Sequence, residues 1–364
     1  MKAAVQPRER ASFSGSYSAA DVQFLLTPIR LALTNVSEKE RLIQSGRRHY
    51  SEMLSPERPP TAPYWRCFEA AMRENGPRLA QDVARLASAL AETSGREVVL
   101  ASLARAGTPV GVLLKRALER RGVPAPHYSI SIIRDRGVDE AALRFIAERH
   151  DGRDVVFVDG WTGKGVIARE LRGSTAGRIL GAELRLVVVA DPAGAADLAA
   201  TAEDYVIPSG LLNGVVSGLV SRSVWRDDLV ARGAFHGCVE LPELAAWDVS
   251  RRFVGEIAAA SRDAVAPARW TEDDRAAAAA AARATLDAVA ERYGVADRNR
   301  IKPGVAETTR ALLRRVPERL LLRDPADAGV AHLMTLAAES GVPVERLPTD
   351  APYRAVAIIR GLGE

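Results

Sequence analysis

From residue 97 onward the sequence alternates short β-branched apolar runs with helical stretches, and this alternation leaves few folds open. "EVVLASL", "HYSISII", "DVVFVDG" and "LRLVVVAD" are each followed by a turn, and "DYVIPSG" supplies a shorter fifth run. Strands apolar on both faces and separated by helices predict an open parallel α/β sheet. Ligands of such sheets sit at the carboxyl ends of the strands. Those ends are "ARAGTP", "IIRDRG", "DGWTGKG", "ADPAG" and "PSGLLNG", so several loops are expected to face one cleft.

The flanks read differently. Residues 1–95 are mainly helical in pattern: "SAADVQFLLTPIRLAL" opens with a capping-type Ser18-x-x-Asp21, and a proline-rich "SPERPPTAP" precedes long amphipathic stretches. The α/β core spans 96–260. Residues 261–294 form a helical connector, introduced by a Thr271-x-x-Asp274 cap and seven consecutive alanines. Residues 295–364 form a small α/β unit of their own.

Composition excludes several classes. At 47% apolar and 26% charged, the 364-residue chain is an ordinary globular protein rather than a disordered one. A net charge of +4 accommodates a phosphorylated ligand or RNA without requiring either. Cys67 and Cys238 are the two cysteines, so there is no disulfide framework and no CxxC zinc spacing. No run reaches the ~18 apolar residues of a spanning helix, and the first residues lack an apolar leader. A cytoplasmic location without membrane contact is expected.

The stretch that carries most chemistry is "VVFVDGWTGKGVIARELR". Unpaired backbone N–H groups at a helix start bind anions, and glycines let the backbone approach them. Thr162 adds a hydroxyl and Lys164 a charge. The spacing Gly160-x-x-Gly163-Lys164-Gly165 is too short for a Walker A turn and lacks its Ser/Thr, and no GxGxxG follows the first strand. The two cysteines read as inert: Cys67 lies at helical spacing among apolar residues, and Cys238 follows His236 in "FHGC".

"VVFVDGWTGKG" resembles the phosphoribosyl diphosphate (PRPP) loop of type I phosphoribosyltransferases, with Gly160 in place of the usual second acid. "LARAGTPVG" resembles their pyrophosphate loop, and "IIRDRG" lies where their mobile loop begins. Over nearly its whole length the chain resembles one bacterial family linked to tellurium-resistance (Ter) stress operons. That family is named either PELOTA-fused phosphoribosyltransferase or cysteine protease StiP. Stretches carrying this resemblance include "FSGSYSAADVQFLL", "HYSEMLSPERPP", "IPSGLLNGVVSGLVSRS", "FHGC" and "KPGVAETTRALLRR".

The resemblance implies a type I phosphoribosyltransferase-like open parallel sheet with a helical N-terminal hood, a helical linker and a small C-terminal Pelota-like α/β domain. It implies transfer of phosphoribose from PRPP to a small nucleobase-like acceptor, with diphosphate released, as in nucleoside biosynthesis. Asp159, Arg105, Arg134 and Arg136 are then the catalytic candidates, with Mg²⁺ held indirectly through Asp159. Ala106, Gly107 and Thr108 would hold the diphosphate, and Gly160, Thr162, Gly163, Lys164 and Gly165 the 5′-phosphate. Tyr17, His49, Tyr50 and Glu52 are expected in a hood over the acceptor. Glu307 and Arg310 are the RNA-binding candidates, although Ala306 replaces the asparagine of the Pelota pattern. A homodimer is a further expectation. The alternatives are a PRPP- or nucleotide-sensing RNA-binding protein without catalysis, and a cysteine protease.

Overall fold

The computed structural model describes residues 13–93, 95–262 and 265–361. The leader reading falls mostly on residues 1–12, outside that range.

The described residues open on two short strands, β1 (Gln23–Leu25) and β2 (Thr27–Pro28), then helices α1 (Val36–Gln44) and α2 (Ala62–Thr93). β3 (Val99–Leu103), α3 (Gly107–Arg120) and β4 (His127–Ile130) follow, with a small hairpin of β5 (Ile132–Ile133) and β6 (Gly137–Val138), and α4 (Glu140–Ala147). β7 (Val155–Trp161) leads into α5 (Val166–Gly173) and α6 (Ala176–Leu180), then β8 (Leu186–Ala190) and β9 (Leu198–Thr201). A long irregular stretch precedes β10 (Gly237–Cys238) and α7 (Ser250–Ala260). The C-terminal part holds α8 (Glu272–Arg292), β11 (Ile301–Pro303), α9 (Val305–Arg314), β12 (Pro317–Leu322), α10 (Ala331–Ser340), β13 (Val344–Arg346) and β14 (Ala355–Ile359).

The main sheet runs β1-β4-β3-β7-β8-β9, with every pairing parallel. Successive side chains of a strand point to opposite faces. In β7, Val156 and Val158 join the core under α2, α3 and α7, while Val155 and Phe157 join the core under α4, α5 and α6. Both faces are therefore covered, which is why these strands read as continuous apolar runs. The mixed α/β class with a parallel sheet is thus as expected.

Two element readings are corrected. "DVQFLL" is not helical: β1 pairs along β4, and Asp21 caps no helix but holds Arg116 through two bonds of 2.8 and 2.7 Å. The fifth long-range strand is Leu198–Thr201 rather than "DYVIPSG". Tyr205, Val206 and Ile207 are buried in the main core just before a short turn at Pro208–Gly210.

The C-terminal sheet has the order β11-β14-β12-β13. One face packs through α9 and α10 (Val305, Leu312, Leu333, Leu336) into the same apolar core as α2. The other face takes Ala282, Val289 and Ala290 of α8, the helix read from sequence as a connector, whose Thr271–Asp274 capping box is formed. Asp204 of the core accepts backbone N–H groups from Val305, at 2.9 and 3.1 Å, and from Arg354, at 2.8 Å. That carboxylate satisfies the start of α9, where unpaired donors and the helix dipole favour an anion. Among the described residues no helix is long and apolar enough to cross a membrane.

Candidate functional site

β3 and β7 are neighbours in the sheet, so the loops at their carboxyl ends are adjacent. Arg105, in the loop after β3, is buried. Its guanidinium donates to Val220 O at 2.6 Å and to the Glu57 carboxylate. Glu57 also accepts the Gly214 N–H at 3.0 Å. Burial alone would raise the Glu57 carboxyl, but Arg105 and then Arg314 outweigh it and hold it below its usual range. Ala106 and Gly107 begin α3 against β7, where a Cβ at Gly107 would stand 2.2 Å from Val158 O. The Thr108 hydroxyl is shared with Ser129 at 2.7 Å.

The hood candidates separate. His49, Tyr50 and Glu52 pack on the β5–β6 hairpin: the Arg134 N–H donates to Tyr50 Oη at 2.8 Å, and Arg136 donates to Glu52 at 2.8 Å. His49 lies 3.8 Å from Asp135. Tyr17 is 2% exposed, and its hydroxyl donates to Val216 O at 2.6 Å, so its ring is core rather than cleft wall.

The glycine-threonine turn is covered by the C-terminal unit. The Thr162 hydroxyl donates to Asp191, and Gly163 O accepts the Tyr353 hydroxyl at 2.7 Å. Lys164 Nζ donates to Arg298 O at 2.5 Å and Ile301 O at 3.1 Å. Burial, then Lys302 and Arg134, pull the Lys164 ammonium down to about 7. Gly165, at φ 68°, is the left-handed residue that turns the chain into α5.

Around this turn lies a cavity of about 270 Å³, lined among others by Tyr50, Arg134, Asp159, Lys302, Glu307 and Arg310. The Arg310 guanidinium sits 4.6 Å over the Trp161 ring and 3.4 Å from Glu307. The two RNA-binding candidates therefore line the core cavity. The Asp159 carboxyl accepts the Gly160 N–H at 2.8 Å, and burial pushes it up to about 6 against the opposing pull of Arg310.

The structure brings Tyr50, Arg134, Asp159, the turn from Thr162 to Gly165, Glu307 and Arg310 to one cavity, and leaves Arg105 outside its lining. Glu57, Asp191, Trp161 and Lys302 were not singled out by sequence; each acts through a partner tens of residues away, and no local pattern marks them. No group of three or more His, Cys, Asp or Glu side chains that could hold a metal exists among the described residues. Asp159 has an arginine beside it as well as Glu307.

Asp159 also gives a pH dependence. Its carboxyl rises from the usual 3.8 to about 6 on folding, so the folded chain holds the proton more tightly than the unfolded chain. Stability therefore falls as pH rises through that window and stays lower above it. Asp159→Asn is expected to raise unfolding stability at about pH 8 by on the order of 2–3 kcal/mol, and to change nothing near pH 3.5. Urea titrations at the two pH values check this; a gain of equal size at both would refute it.

The cysteines occupy unlike places. Cys238 in β10 is fully buried, and burial followed by Glu240 pushes its thiol up to about 12. His236 shares its Nδ1 with Ser131 Oγ at 2.7 Å, and its backbone N–H donates to Asp139. Cys67 on α2 is half-buried, with Sγ 4.0 Å from Thr335 Oγ1 of α10. It lines a cavity of about 380 Å³ together with Arg66, Glu74, Asn75 and His332. The His332 imidazole bonds Thr309 Oγ1 through Nε2 at 2.9 Å, and burial pulls it down to about 3. A lone histidine in the apolar pattern of "GVAHLMTLAAESG" gave no sequence signal.

A family model described as "Tellurite-like stress resistance cysteine protease StiP" matches residues 15–258, and one described as "PELOTA RNA binding domain" matches 280–361. A protein of Acinetobacter baylyi named "Cysteine protease StiP" is 43% identical over 98% of this chain and 96% of its own length. Among solved structures, a glutamine mutant from an analysis of an invariant aspartic acid in HPRTs aligns over 46% of this chain and 94% of its own. It does so at 16% identity with a TM-score of 0.29. A Trypanosoma cruzi hypoxanthine phosphoribosyltransferase mutant complexed with the product IMP aligns over 52% and 85%, at 17% identity with a TM-score of 0.25. Likenesses that weak carry no functional argument.

The phosphoribosyltransferase activity and the nucleoside-biosynthesis role expected from the turn are overturned by the near-full-length relative and the family model, both named for a cysteine protease. In the structure Thr162, Lys164 and Arg105 have protein partners, and Arg105 does not line the cavity that holds the turn. The inert reading of the two thiols stands against a family model and a relative that are both named for a cysteine protease. The chain belongs to the StiP family.

Proposed function

We propose that the chain is a cysteine-dependent peptidase in which Cys67 is the nucleophile and His332 accepts its proton. The observation that carries this reading is that Cys67 and His332 line one cavity, whereas Cys238 is sealed in the core. A nucleophilic thiol needs access and a neighbouring base.

The tautomer of His332 follows from its partner. The Thr309 hydroxyl donates to Val305 O at 2.7 Å, so its oxygen accepts from His332 Nε2–H. Nδ1 then carries the lone pair, and the ring is neutral because burial disfavours its charged form. In the proposed step the Cys67 proton moves to Nδ1 as Sγ bonds the scissile carbonyl carbon. The C–N bond breaks, the amine leaves with that proton, and water cleaves the thioester.

Native alkylation tests the assignment. The full chain is treated with iodoacetamide, the labelled cysteines are mapped by mass spectrometry, and turnover of a denatured protein substrate is followed alongside. Cys67 is expected to label and Cys238 to resist until the chain unfolds, with turnover falling in step with Cys67 labelling. Full turnover after complete alkylation of Cys67 refutes the reading.

A further inference from the structure

A third cavity, of about 490 Å³, lies where the N-terminal segment, the 211–222 loops and the C-terminal unit meet. Its basic lining is Lys39, Arg58, Arg222, Arg314 and Arg315, and its carboxylates are Glu57 and Glu339. Among the described residues neither carboxylate forms an ion pair with Lys39, Arg222 or Arg314; the charge of Glu57 reaches Arg222 and Arg314 only at longer range. Glu57 holds Arg105, and Glu339, at the exposed rim, accepts from Thr61 at 3.3 Å. Arg315 is paired with Glu40 through two bonds, of 2.5 and 2.7 Å.

Arg58 is exposed, which leaves Lys39, Arg222 and Arg314, and among the described residues no carboxylate forms an ion pair with any of these three. Arg222 donates to the carbonyls of Tyr50, at 2.6 Å, and of Met53. Arg314 donates to the amide oxygen of Asn213. These acceptors satisfy hydrogen bonds but do not cancel charge. Lys39 is 7% exposed and has no acceptor among the described residues. Burial, followed by its neighbours Arg222 and Arg314, pulls the Lys39 ammonium down to about 8. Burial, then Arg105, likewise pulls Arg314 down to about 9. Desolvating a charge without an ion pair is costly, and one buried and two half-buried cations converging on one void call for an anion.

We propose that this cavity is a binding site for a small oligophosphate anion, a diphosphate or triphosphate group. Guanidinium forks match phosphate oxygens in pairs, and an ammonium serves as a point charge beside them. Three cations without an ion pair favour a ligand carrying several negative charges in a compact volume. The void lies within the range of small-molecule sites. Its lining shares no residue with the cavity of Cys67 or with that of the glycine-threonine turn, and it rests on neither of their readings.

Calorimetric titration of the full chain at about 0.15 M salt, where weak surface contacts are screened, provides the test. The probes are inorganic triphosphate, ATP and citrate. Saturable binding of triphosphate is expected, with a rise in melting temperature; tighter binding of ATP would identify a nucleoside-bearing ligand and tighter binding of triphosphate a free one. Lys39→Met should weaken binding at least about 10-fold while leaving the apo chain no less stable, because an uncompensated buried charge is removed. Lys39→Arg should restore binding in part. Absence of saturable binding by both phosphates, equal binding by citrate, or unchanged affinity in Lys39→Met overturns the proposal.

Discussion

Gly107→Ala is expected to leave little folded protein. A Cβ at this position would stand 2.2 Å from Val158 O, 3.0 Å from Val158 C and 3.1 Å from Asp159 Cα. All three atoms are backbone of β7, a central strand held by β3 on one side and β8 on the other. A flexible side chain could swing away, but this backbone cannot move without breaking a ladder. The cost should reach on the order of 4 kcal/mol or more, a large part of the 5–15 kcal/mol that a domain has. Gly122→Ala is the control: its φ is +75°, but nothing lies within 4 Å of the added Cβ. That change should cost only about 1 kcal/mol of backbone strain. Urea unfolding of the two variants separates crowding from strain. Equal midpoints would show that β7 yields.

The second large effect concerns chemistry alone. Cys67→Ser should lower peptidase turnover on the order of 10⁴-fold, because a hydroxyl with this neutral imidazole is a far weaker nucleophile than a thiol. Folding should change little, since Cys67 is half-buried and its sulfur makes a long, weak contact of 4.0 Å with Thr335 Oγ1. Cys238→Ser should show the opposite. It places a hydroxyl in a fully buried strand position and should cost about 1–3 kcal/mol of stability while sparing turnover. Kinetics and thermal melts on both variants test the pair. Wild-type turnover in Cys67→Ser would end the nucleophile assignment, and a loss confined to Cys238→Ser would move it to the other thiol.

The central strands were legible in the sequence because each is buried on both faces, so Val155 to Val158 could be nothing but apolar. β1 was not. "DVQFLL" is a short apolar run that fits a helix or a strand equally well, and its pairing with Tyr128–Ile130 is decided a hundred residues away. β9 was missed for a related reason: "LAAT" has little β propensity, and only β8 beside it makes it a strand. The turn from Thr162 to Gly165 was visible as a helix start, but its cover was not, because Tyr353 and the carbonyls of Arg298 and Ile301 lie more than 130 residues further on. The thiol site was the least legible part. Cys67 and His332 each read as an ordinary helical core position, and only the docking of α10 against α2 brings them to one cavity.

The grip of Asp204 on the backbone of Val305 and Arg354 bears on how such a chain can be inherited. The two halves cannot be shuffled as beads on a string: losing the later half would strand a desolvated acid and bare the apolar flank of α2. Gene fusion or fission near residue 262 would therefore succeed only with matching replacements at that acid and along that flank, so both halves must drift in concert.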